Sequence, residues 1–336
     1  MGKQTSIPVK RVLLSGVKKV VLFVMTGFIL TAPLGAVPQQ HELARYSFTE
    51  YHMGIDARLV VYAKDQTTAE DACSAAFARI AALDTAMSDY RQDSELMQLC
   101  RDAGGPAKKV SYDLFVVLRR AQEISARSDG AFDVTIGPLI QLWRKARKSG
   151  ELPDPSQIEA ARVLVGWKKR HLDTRRGTVQ LEVPGMKLDL GGIAKGYAGD
   201  EAQKVLRTHG IRRALVEMGG DIVVSGPPPN TDGWTIRVPN AGHDSGPTDL
   251  HFTNRAISTS GDTEQFVVIG GVQYSHVVDP RSGQAITNRI QATVITSSGF
   301  LSDPLSKMLA LLGREEGERV LRTYPGTKFF VRTLRR

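Results

Sequence analysis

The strongest chemical signal in the sequence is a glycine-rich run, DLGGIAKGYA, at residues 189–198. Its pattern is that of a strand that ends in glycines and continues as a helix. Such a junction presents backbone N–H groups and the positive end of a helix dipole, which suits a phosphate. Lys195 would add a full positive charge at the same place. The patterns GxxxxGK[ST] and GxGxxG are absent from this run, so close packing remains the alternative interpretation.

Two later segments offer hydroxyl and base chemistry. Residues 256–262 (AISTSGD) place hydroxyls next to a glycine turn, and residues 274–283 place His276 on a strand that ends at a turn containing Asp279. A histidine has an unperturbed pKa of about 6.5, so it can act as a general base with a carboxylate to orient it. A purely structural hydrogen bond of His276 is the competing interpretation.

A carboxylate at the start of an apolar helix is the third candidate. Asp303 lies in the segment SDPLS, residues 302–306. Magnesium prefers oxygen donors and keeps some of its waters, so this carboxylate is a candidate metal ligand. An aspartate in a first helical turn also caps the helix and pairs with its dipole, and the residues alone favour neither role.

The elements that must position these residues alternate between helices and strands in the first half of the chain. Residues 57–62 (ARLVVY) are predicted as a strand. Apolar residues at helical spacing predict helices over residues 67–87 and 112–127, and a helix in pieces over residues 138–161. The helix over residues 67–87 has one apolar face, which predicts that this face packs inward.

The second half of the chain is predicted to consist mainly of strands joined by glycine-rich turns. Two helices interrupt them, one beginning near Ile193 and one over residues 301–312. Because strands and helices come in blocks and not in strict βαβ units, the predicted fold class is α+β. The predicted strands are residues 179–183, 186–190, 214–217, 222–224, 234–238, 266–269, 292–295 and 329–331.

The first 36 residues differ from the rest of the chain. Five lysines and arginines without an acidic residue lead into an apolar run at residues 20–36, which is the pattern of a secretory signal. We predict that residues 1–36 are a signal peptide or an N-terminal anchor. The remainder is then exported, either periplasmic or attached to the periplasmic face of the inner membrane. A retained transmembrane helix is the alternative, because Leu34 is not the small residue preferred before a cut after Ala36.

Charge and cysteine content limit the class of protein further. The leader carries five positive charges and no negative one, so the formal net charge falls from +9 to +4 for the residues after Ala36. A nucleic-acid footprint is therefore weak, and no nucleic-acid partner is expected. Cys73 and Cys100 are too few for a disulfide scaffold, although a single bridge stays open.

Eight short segments, taken in order, resemble the ApbE family of FAD:protein FMN transferases from about His52 to Val331. Each segment is common alone, whereas their order and spacing together are highly specific. The resemblance implies a single ApbE-like, T-fold-like domain over residues 45–335, with mixed, largely antiparallel sheets and flanking helices. The segments are HMG at 52–54, SDYRQDSEL at 88–96, GAFDVTIGPL at 130–139, DLGGIAKGYA at 189–198, MGGD at 218–221, TSGD at 259–262, HVVDP at 276–280 and SD at 302–303.

The resemblance also implies roles for individual positions. The glycine-rich run lines the flavin nucleotide, with Gly191 and Lys195 as contacts, and His276 is the base that takes the proton of an acceptor hydroxyl. Mg²⁺ is bound by the backbone carbonyl of Ala194 and by the carboxylate of Asp303. The remaining implied FAD contacts are Met53, Tyr90, Ala131, Phe132 and Asp133.

The reaction that the resemblance implies is an Mg²⁺-dependent transfer of FMN from FAD to a threonine or serine hydroxyl of another protein, with release of AMP. FAD is then a substrate, and the acceptor is an exported or membrane redox protein with a flavinylation motif. Two alternatives use the same site. One is an Mg²⁺-dependent FAD pyrophosphatase that yields FMN and AMP, and the other is a periplasmic protein that binds FAD without chemistry.

Two positions depart from the family pattern. Ile55 stands where the first segment usually continues with threonine, which concerns local packing. Lys307, four residues after Asp303, stands where the family often has a threonine that ligates the metal. A protonated lysine cannot ligate, so Ser306 or water would complete the site, or the lysine would replace part of the metal's charge. Lys307 thus favours the flavin-binding alternative, whereas His276 and Asp303 favour the two enzymes.

Overall fold

Strands and helices alternate irregularly along the chain. The computed structural model describes residues 42–239, 247–261 and 266–333, and the predicted leader and Asp262 lie outside these ranges. The strands are β1 Ala44–His52, β2 Ile55–Ala63, β3 Lys108–Lys109, β4 Arg170–Asp173, β5 Thr178–Leu181, β6 Ala214–Met218, β7 Asp221–Val224, β8 Trp234–Val238, β9 Thr248–Phe252, β10 Arg255–Gly261, β11 Phe266–Ile269, β12 Val272–Ser275, β13 Ile290–Thr296 and β14 Lys328–Thr333. The α-helices are α1 Gln66–Met87, α2 Glu95–Arg101, α3 Tyr112–Arg127, α4 Gly137–Ser149, α5 Pro155–Arg162, α6 Ala194–Thr208 and α7 Gly299–Leu321, and Trp167–Lys169 form a short 3₁₀ helix.

Local sequence signals explain where several helices begin and end. The hydroxyls of Ser94 and Ser111 accept hydrogen bonds from backbone N–H groups three residues further on, so they cap α2 and α3. Gly150 has a φ of 73° after the last turn of α4, a left-handed conformation that glycine adopts without strain. These caps satisfy backbone groups that the helices leave without partners.

One antiparallel sheet of seven strands forms the centre of the fold. Its order is β1–β2–β6–β7–β10–β13–β14, and every neighbouring pair is antiparallel. Three smaller antiparallel sheets, β3–β5–β4, β8–β9 and β11–β12, lie outside it. The order brings β7 and β10, which are distant in sequence, next to each other near the middle of the sheet.

The two faces of the central sheet are covered by different elements. Apolar residues of α1, α6 and α7 pack with one face in a single large core that includes Leu59, Ile80 and Leu309. The other face carries a smaller apolar cluster, in which Trp234 of the β8–β9 hairpin packs near Leu215. Helices α1, α6 and α7 therefore lie on one side of the sheet, where α6 and α7 contact both each other and the strands.

Glycines allow α6 and α7 to approach backbone to backbone at their first turns. A Cβ atom added at Gly299 would lie 2.6 Å from the carbonyl oxygen of Gly196, and one added at Gly196 would lie 2.7 Å from the Cβ atom of Asp303. Neither position has room for a side chain. The close crossing places the beginning of α6 directly against the Asp303 turn of α7.

The predicted α+β class, with largely antiparallel sheets and flanking helices, is confirmed. The predicted strand at residues 186–190 is wrong. Lys187 forms only an isolated parallel bridge with Ile136, because the partner segment turns into α4 at Gly137. The predicted helix at residues 301–312 belongs to the longer α7, whose backbone leaves the helical conformation at Gly313, with φ 72° and ψ −173°.

The disulfide alternative can be examined because both cysteines lie within the described residues, whereas the alternative of a transmembrane helix at residues 20–36 lies outside them. Cys73 and Cys100 are both free and buried, and burial raises the pKa of the Cys100 thiol to about 11. Among the residues that the structure describes, no helix is both long enough and apolar enough to span a membrane.

Candidate active site

The beginning of α6 is where the glycine-rich run becomes helical. Ile193 precedes the helix without a side-chain cap, and the N–H of Gly196 donates to Oδ2 of Asp303 at 3.0 Å. The first N–H groups of α7 are capped by Asp200 of α6, whose carboxylate accepts from the N–H of Gly299 at 2.8 Å and from that of Phe300 at 3.0 Å. Of these two adjoining helix starts, α6 is the one that faces the charged residues of the site.

Four charged side chains meet beside this helix start, and we call Lys195, Asp221, Asp303 and Lys307 the lysine–aspartate cluster. Nζ of Lys195 lies 2.6 Å from Oδ2 of Asp221 and 3.8 Å from Oδ1 of Asp303. Nζ of Lys307, one helical turn after Asp303, forms a short hydrogen bond to the same Oδ1 atom. The carboxylates are buried, at 4% and 0% side-chain exposure, whereas the lysines keep 20% and 17%.

Asp221 and Lys195 remain ionised because neighbouring charges oppose the effect of burial on their pKa values. Burial alone would raise the pKa of Asp221, but Lys195 and Lys307 lower it below its ordinary value. Burial would likewise lower the pKa of Lys195, and Asp221 and Asp303 raise it instead. Lys195 and Asp221 thus form an ion pair, and both lysine side chains of the cluster stay partly accessible beside the two buried carboxylates.

Hydroxyl groups fix α7 on β10 next to the cluster. Oγ of Ser258 lies 2.8 Å from Oγ of Ser302, and Oγ of Ser260 lies 2.7 Å from Oγ of Ser306. Residues two apart on a strand and four apart on a helix each share a face, so the two pairs form one polar seam. This seam sets the position of Asp303 between them.

The Ala131–Asp133 segment contacts the glycine loop next to the cluster. A Cβ atom added at Gly192 would lie 2.9 Å from Cδ of Lys307 and 3.2 Å from Cε2 of Phe132, so the loop, the lysine stem and the ring are in contact. Ala131 is fully buried. Asp133 is also buried, its Oδ1 accepts from both the N–H and the hydroxyl of Thr135, and burial raises its pKa.

A second group of charged residues surrounds Tyr90, and we call Asp89, Tyr90, Arg144 and Asp189 the tyrosine–arginine cluster. Tyr90 is 75% exposed, and the Arg144 guanidinium lies 4.5 Å from its ring centroid. Arg144 also binds Asp89 and, at 2.8 Å, Asp189. The N–H of Gly191 donates to the other oxygen of Asp189 at 2.9 Å, so this cluster fixes the start of the glycine loop.

Met53 and His276, two further predicted site residues, lie in turns next to strands. Met53 connects β1 to β2 with a φ of 52°, and its N–H donates to Asp84 at 3.1 Å. His276 follows β12 directly and is half-buried. Asp279, the predicted orienting carboxylate, binds the guanidinium of Arg281 at 2.8 Å.

The donor set around Asp303 does not fit a divalent cation. Oδ1 accepts from Lys307 and faces Lys195, while Oδ2 accepts from the N–H of Gly196. Ala194, the other implied ligand, is the first residue of α6 and is 7% exposed. In the part of the chain that the structure describes, no three His, Cys, Asp or Glu side chains are grouped to hold a metal ion. Positive charge at this position comes from ammonium groups.

The sequence interpretation assigned no role to Asp221, Arg144 or Arg147. Asp221 belongs to the MGGD segment, so the signal was present, but its partner Lys195 is 26 residues away. Arg144 and Arg147 are three residues apart on α4, a spacing that puts them on one face. Nη1 of Arg147 is buried and has no hydrogen-bond partner among the described residues, and burial lowers its pKa.

Fold and site together define a class of protein. An antiparallel α+β domain carries two lysines beside a glycine-rich helix start, with an aromatic ring and arginines at the other end of the glycine loop. Ammonium groups and a helix start bind phosphate groups, and exposed aromatic rings stack on planar ring systems. The site therefore suits an anionic ligand that carries both phosphates and flat rings.

Comparison with known proteins agrees with this class. The ApbE family model matches residues 53–331. An FAD:protein FMN transferase of Klebsiella pneumoniae is 32% identical over 82% of this chain and 85% of its own length, and one of Vibrio cholerae is 33% identical over 70% and 71%. The crystal structure of the apo flavinyl transferase ApbE of Pseudomonas stutzeri superimposes with a TM-score of 0.78 at 28% identity, covering 88% of this chain and 93% of that one.

The chain belongs to the ApbE family. The match spans most of the chain, and the relatives are covered over most of their own length. The family predicted from the eight ordered segments is thereby confirmed.

Proposed function

We propose that this chain is an FAD:protein FMN transferase that uses FAD as a substrate and attaches its FMN half to a protein acceptor. The observation that carries the proposal is the lysine–aspartate cluster at the glycine-rich start of α6, within an ApbE fold. Lys195 and Lys307 are partly accessible, and each ammonium group has N–H donors beyond the carboxylate that it binds, so both can donate to a pyrophosphate at the helix start. The two relatives and the solved structure named above are flavin transferases.

The proposed reaction is a substitution at phosphorus. The hydroxyl oxygen of an acceptor threonine or serine forms a bond to the FMN-side phosphorus of FAD, and the bond from that phosphorus to the bridging oxygen breaks. AMP leaves with the bridging oxygen and its electron pair, and the acceptor proton passes to His276. The imidazole is half-buried and so reaches solvent, to which it can pass that proton on.

Each part of the described site has a task in this reaction. Lys195 and Lys307 hold the pyrophosphate and offset the negative charge that builds up on the leaving phosphate. Tyr90, which is exposed and carries a guanidinium on its ring, offers a stacking surface for one ring system of FAD. Arg147 supplies a further donor at the same end of the site.

Magnesium dependence is the part of the expected reaction that the residues around Asp303 do not fit, and no step of the proposed reaction passes through a metal. We also propose that the protein acts outside the cytoplasm, in the periplasm or on the periplasmic face of the inner membrane. The basic and apolar pattern of residues 1–36 supports this location. The proposed acceptor is accordingly an exported or membrane redox protein.

Intact-mass measurement on an acceptor tests the proposal. Full-length protein is incubated with FAD and an exported redox domain that carries a Thr/Ser flavinylation motif, and the acceptor is then weighed and examined for in-gel flavin fluorescence. We expect a gain of one FMN, which is lost in His276→Ala and kept in His251→Ala, a change at an exposed histidine of β9. Free FMN and AMP without labelling would indicate the pyrophosphatase. Unchanged, tightly bound FAD would indicate a flavin-binding protein.

A further inference from the structure

The carboxylate expected to bind a metal already has a cation. Lys307 lies one turn after Asp303 on α7, and its ammonium group donates a short hydrogen bond to Oδ1 of Asp303. Lys195 faces the same oxygen at 3.8 Å. Position 307 is therefore occupied by a positive charge directed at the carboxylate, and a hydroxyl ligand is absent from that position.

Packing holds Lys307 in this place. Its stem lies against the glycine loop, where a Cβ atom at Gly192 would come within 2.9 Å of Cδ. Asp303 is itself fixed, because its side chain is fully buried and its other oxygen accepts from Gly196. The seam of serines between β10 and α7 fixes the helical turn that carries both residues.

Charge balance argues against adding a metal ion to this arrangement. Two ammonium groups already neutralise two carboxylates at nearly complete burial. A divalent cation bound to Oδ1 of Asp303 would share that oxygen with the Lys307 ammonium group and face Lys195, which lies 3.8 Å from the same atom, and like charges repel strongly in a poorly solvated site. Lysine, in contrast, is a compact point charge on a flexible stem and can donate to a carboxylate and a phosphate at once.

We propose that Lys307 is the resident cation of this site and that the protein binds and cleaves FAD without a divalent metal. Together with Lys195, it donates to the pyrophosphate, so that two fixed ammonium groups supply the charge. The inference rests on the proposed function for the cleavage step, whereas its metal-binding part can be tested without turnover.

Cation binding is the first measurement. Mn²⁺ is titrated into full-length wild-type protein and into Lys307→Thr, and the free ion is followed by electron paramagnetic resonance. We expect no bound Mn²⁺ in the wild type at millimolar concentration and one bound ion in Lys307→Thr. Lys204→Thr, the same exchange at an exposed lysine of α6, should behave as the wild type does. Stoichiometric Mn²⁺ binding to the wild type would overturn the proposal without any variant.

FAD binding and cleavage form the second measurement, each made in EDTA and again with excess Mg²⁺. We expect the wild type and Lys307→Arg to be indifferent to Mg²⁺. Lys307→Thr should bind FAD about 10-fold more weakly in EDTA, because one charge-assisted hydrogen bond is lost. Its affinity for FAD should recover in Mg²⁺. Circular dichroism checks that the variant is folded.

The outcomes separate the two proposals. A wild type that cleaves FAD only with Mg²⁺ contradicts the resident cation and leaves the transferase intact. A wild type that binds FAD equally well with and without Mg²⁺ but never cleaves it or labels an acceptor contradicts the transferase. In that case the Mn²⁺ titration still decides the role of Lys307.

Discussion

Helix α6 carries two ionic clusters on opposite sides, and they differ in how their charges are paired. On one side lies the lysine–aspartate cluster of the site. On the other, Arg79, Asp113, Tyr197 and Glu201 form what we call the arginine cluster. Arg79 donates to both oxygens of Asp113, at 2.7 and 2.6 Å, and to Glu201 at 2.6 Å, while the Tyr197 hydroxyl donates to Asp113 at 2.7 Å.

The difference separates a structural use of charge from a functional one. The planar guanidinium of Arg79 has its donors arranged in a fork that two carboxylates fill, and so it joins α1, α3 and α6. The ammonium groups of Lys195 and Lys307 are point charges at the rim of a buried carboxylate pair. The stem of Lys307 also contacts the glycine loop at Gly192. The lysines keep N–H donors beyond their carboxylate partners, and these lie beside the glycine-rich helix start, where a phosphate can use them.

The largest expected effect lies between the two clusters, at Gly196→Val. The new side chain would collide with the first turn of α7, where a Cβ atom alone comes within 2.7 Å of Asp303. We expect a loss of more than about 3 kcal/mol in the free energy of unfolding, and loss of FAD binding. Chemical denaturation measures the first quantity and flavin fluorescence the second.

Gly210→Ala is the control for this change. Its φ is 81° and nothing lies near an added Cβ atom, so it reports backbone strain alone, about 1 kcal/mol. Equal losses in the two variants would show that the helix crossing tolerates a side chain, and the two clusters would then not depend on it.

The functional side of the comparison is tested by Lys195→Gln. Removal of one ammonium group from the developing charge should lower kcat/KM for FAD cleavage about 100-fold. Steady-state release of AMP is the measurement, and Lys204→Gln on the same helix is the matched control. If the lysine exchange left cleavage within a factor of two, the lysine–aspartate cluster would be structural as well.

The structural side is tested by Arg79→Gln. We expect FAD cleavage to stay near the wild-type rate, while the free energy of unfolding falls by about 1–2 kcal/mol because two carboxylates lose their partner. Urea denaturation and the cleavage assay are run on the same preparation. A variant of unchanged stability and lost activity would reverse the assignment of the two clusters.

The smallest expected effect is a change in acid sensitivity with Asp113→Asn. The hydrogen bond from Arg79 lowers the pKa of Asp113, so its contribution to stability is complete above its unfolded pKa and is lost as the pH falls through the lower folded value. The Tm of the wild type should therefore decrease as the pH is lowered past about 4. The dependence of Tm on pH should be flatter in Asp113→Asn.

Thermal unfolding from pH 2 to pH 7 measures this difference. Asp249→Asn is the control, because the pKa of Asp249 is also lowered by an arginine, Arg237, but both side chains are exposed and screened by salt. A slope that flattened equally in both variants would mean that the arginine cluster gains nothing from its position between helices.

Much of the fold could be predicted because its helices and buried strands have clear periodicity. Predicted residues 112–127 coincide with α3, and the predicted start near Ile193 agrees with α6. β10 was missed because its Ser and Thr residues were interpreted as ligand groups, yet Ser258 and Ser260 are buried against α7. A polar strand face becomes visible only once its partner helix is known.

The candidate site was predictable as a set of segments and not as a network. Lys195 and Asp303 were identified, but the pairing of Lys195 with Asp221 joins residues distant in sequence. The departure at Lys307 was visible in the sequence; its contact with Asp303 required the structure. The contact of Lys307 with the loop at Gly192 depends on loop packing and also required the structure.

The four-residue spacing of Asp303 and Lys307 has an evolutionary consequence. Codons for lysine and threonine that end in A or G differ only in their second base. One nucleotide substitution at codon 307 therefore exchanges a built-in cation for a hydroxyl. Under the resident-cation proposal, this one base exchange would convert a site that carries its own positive charge into one that must recruit a metal ion.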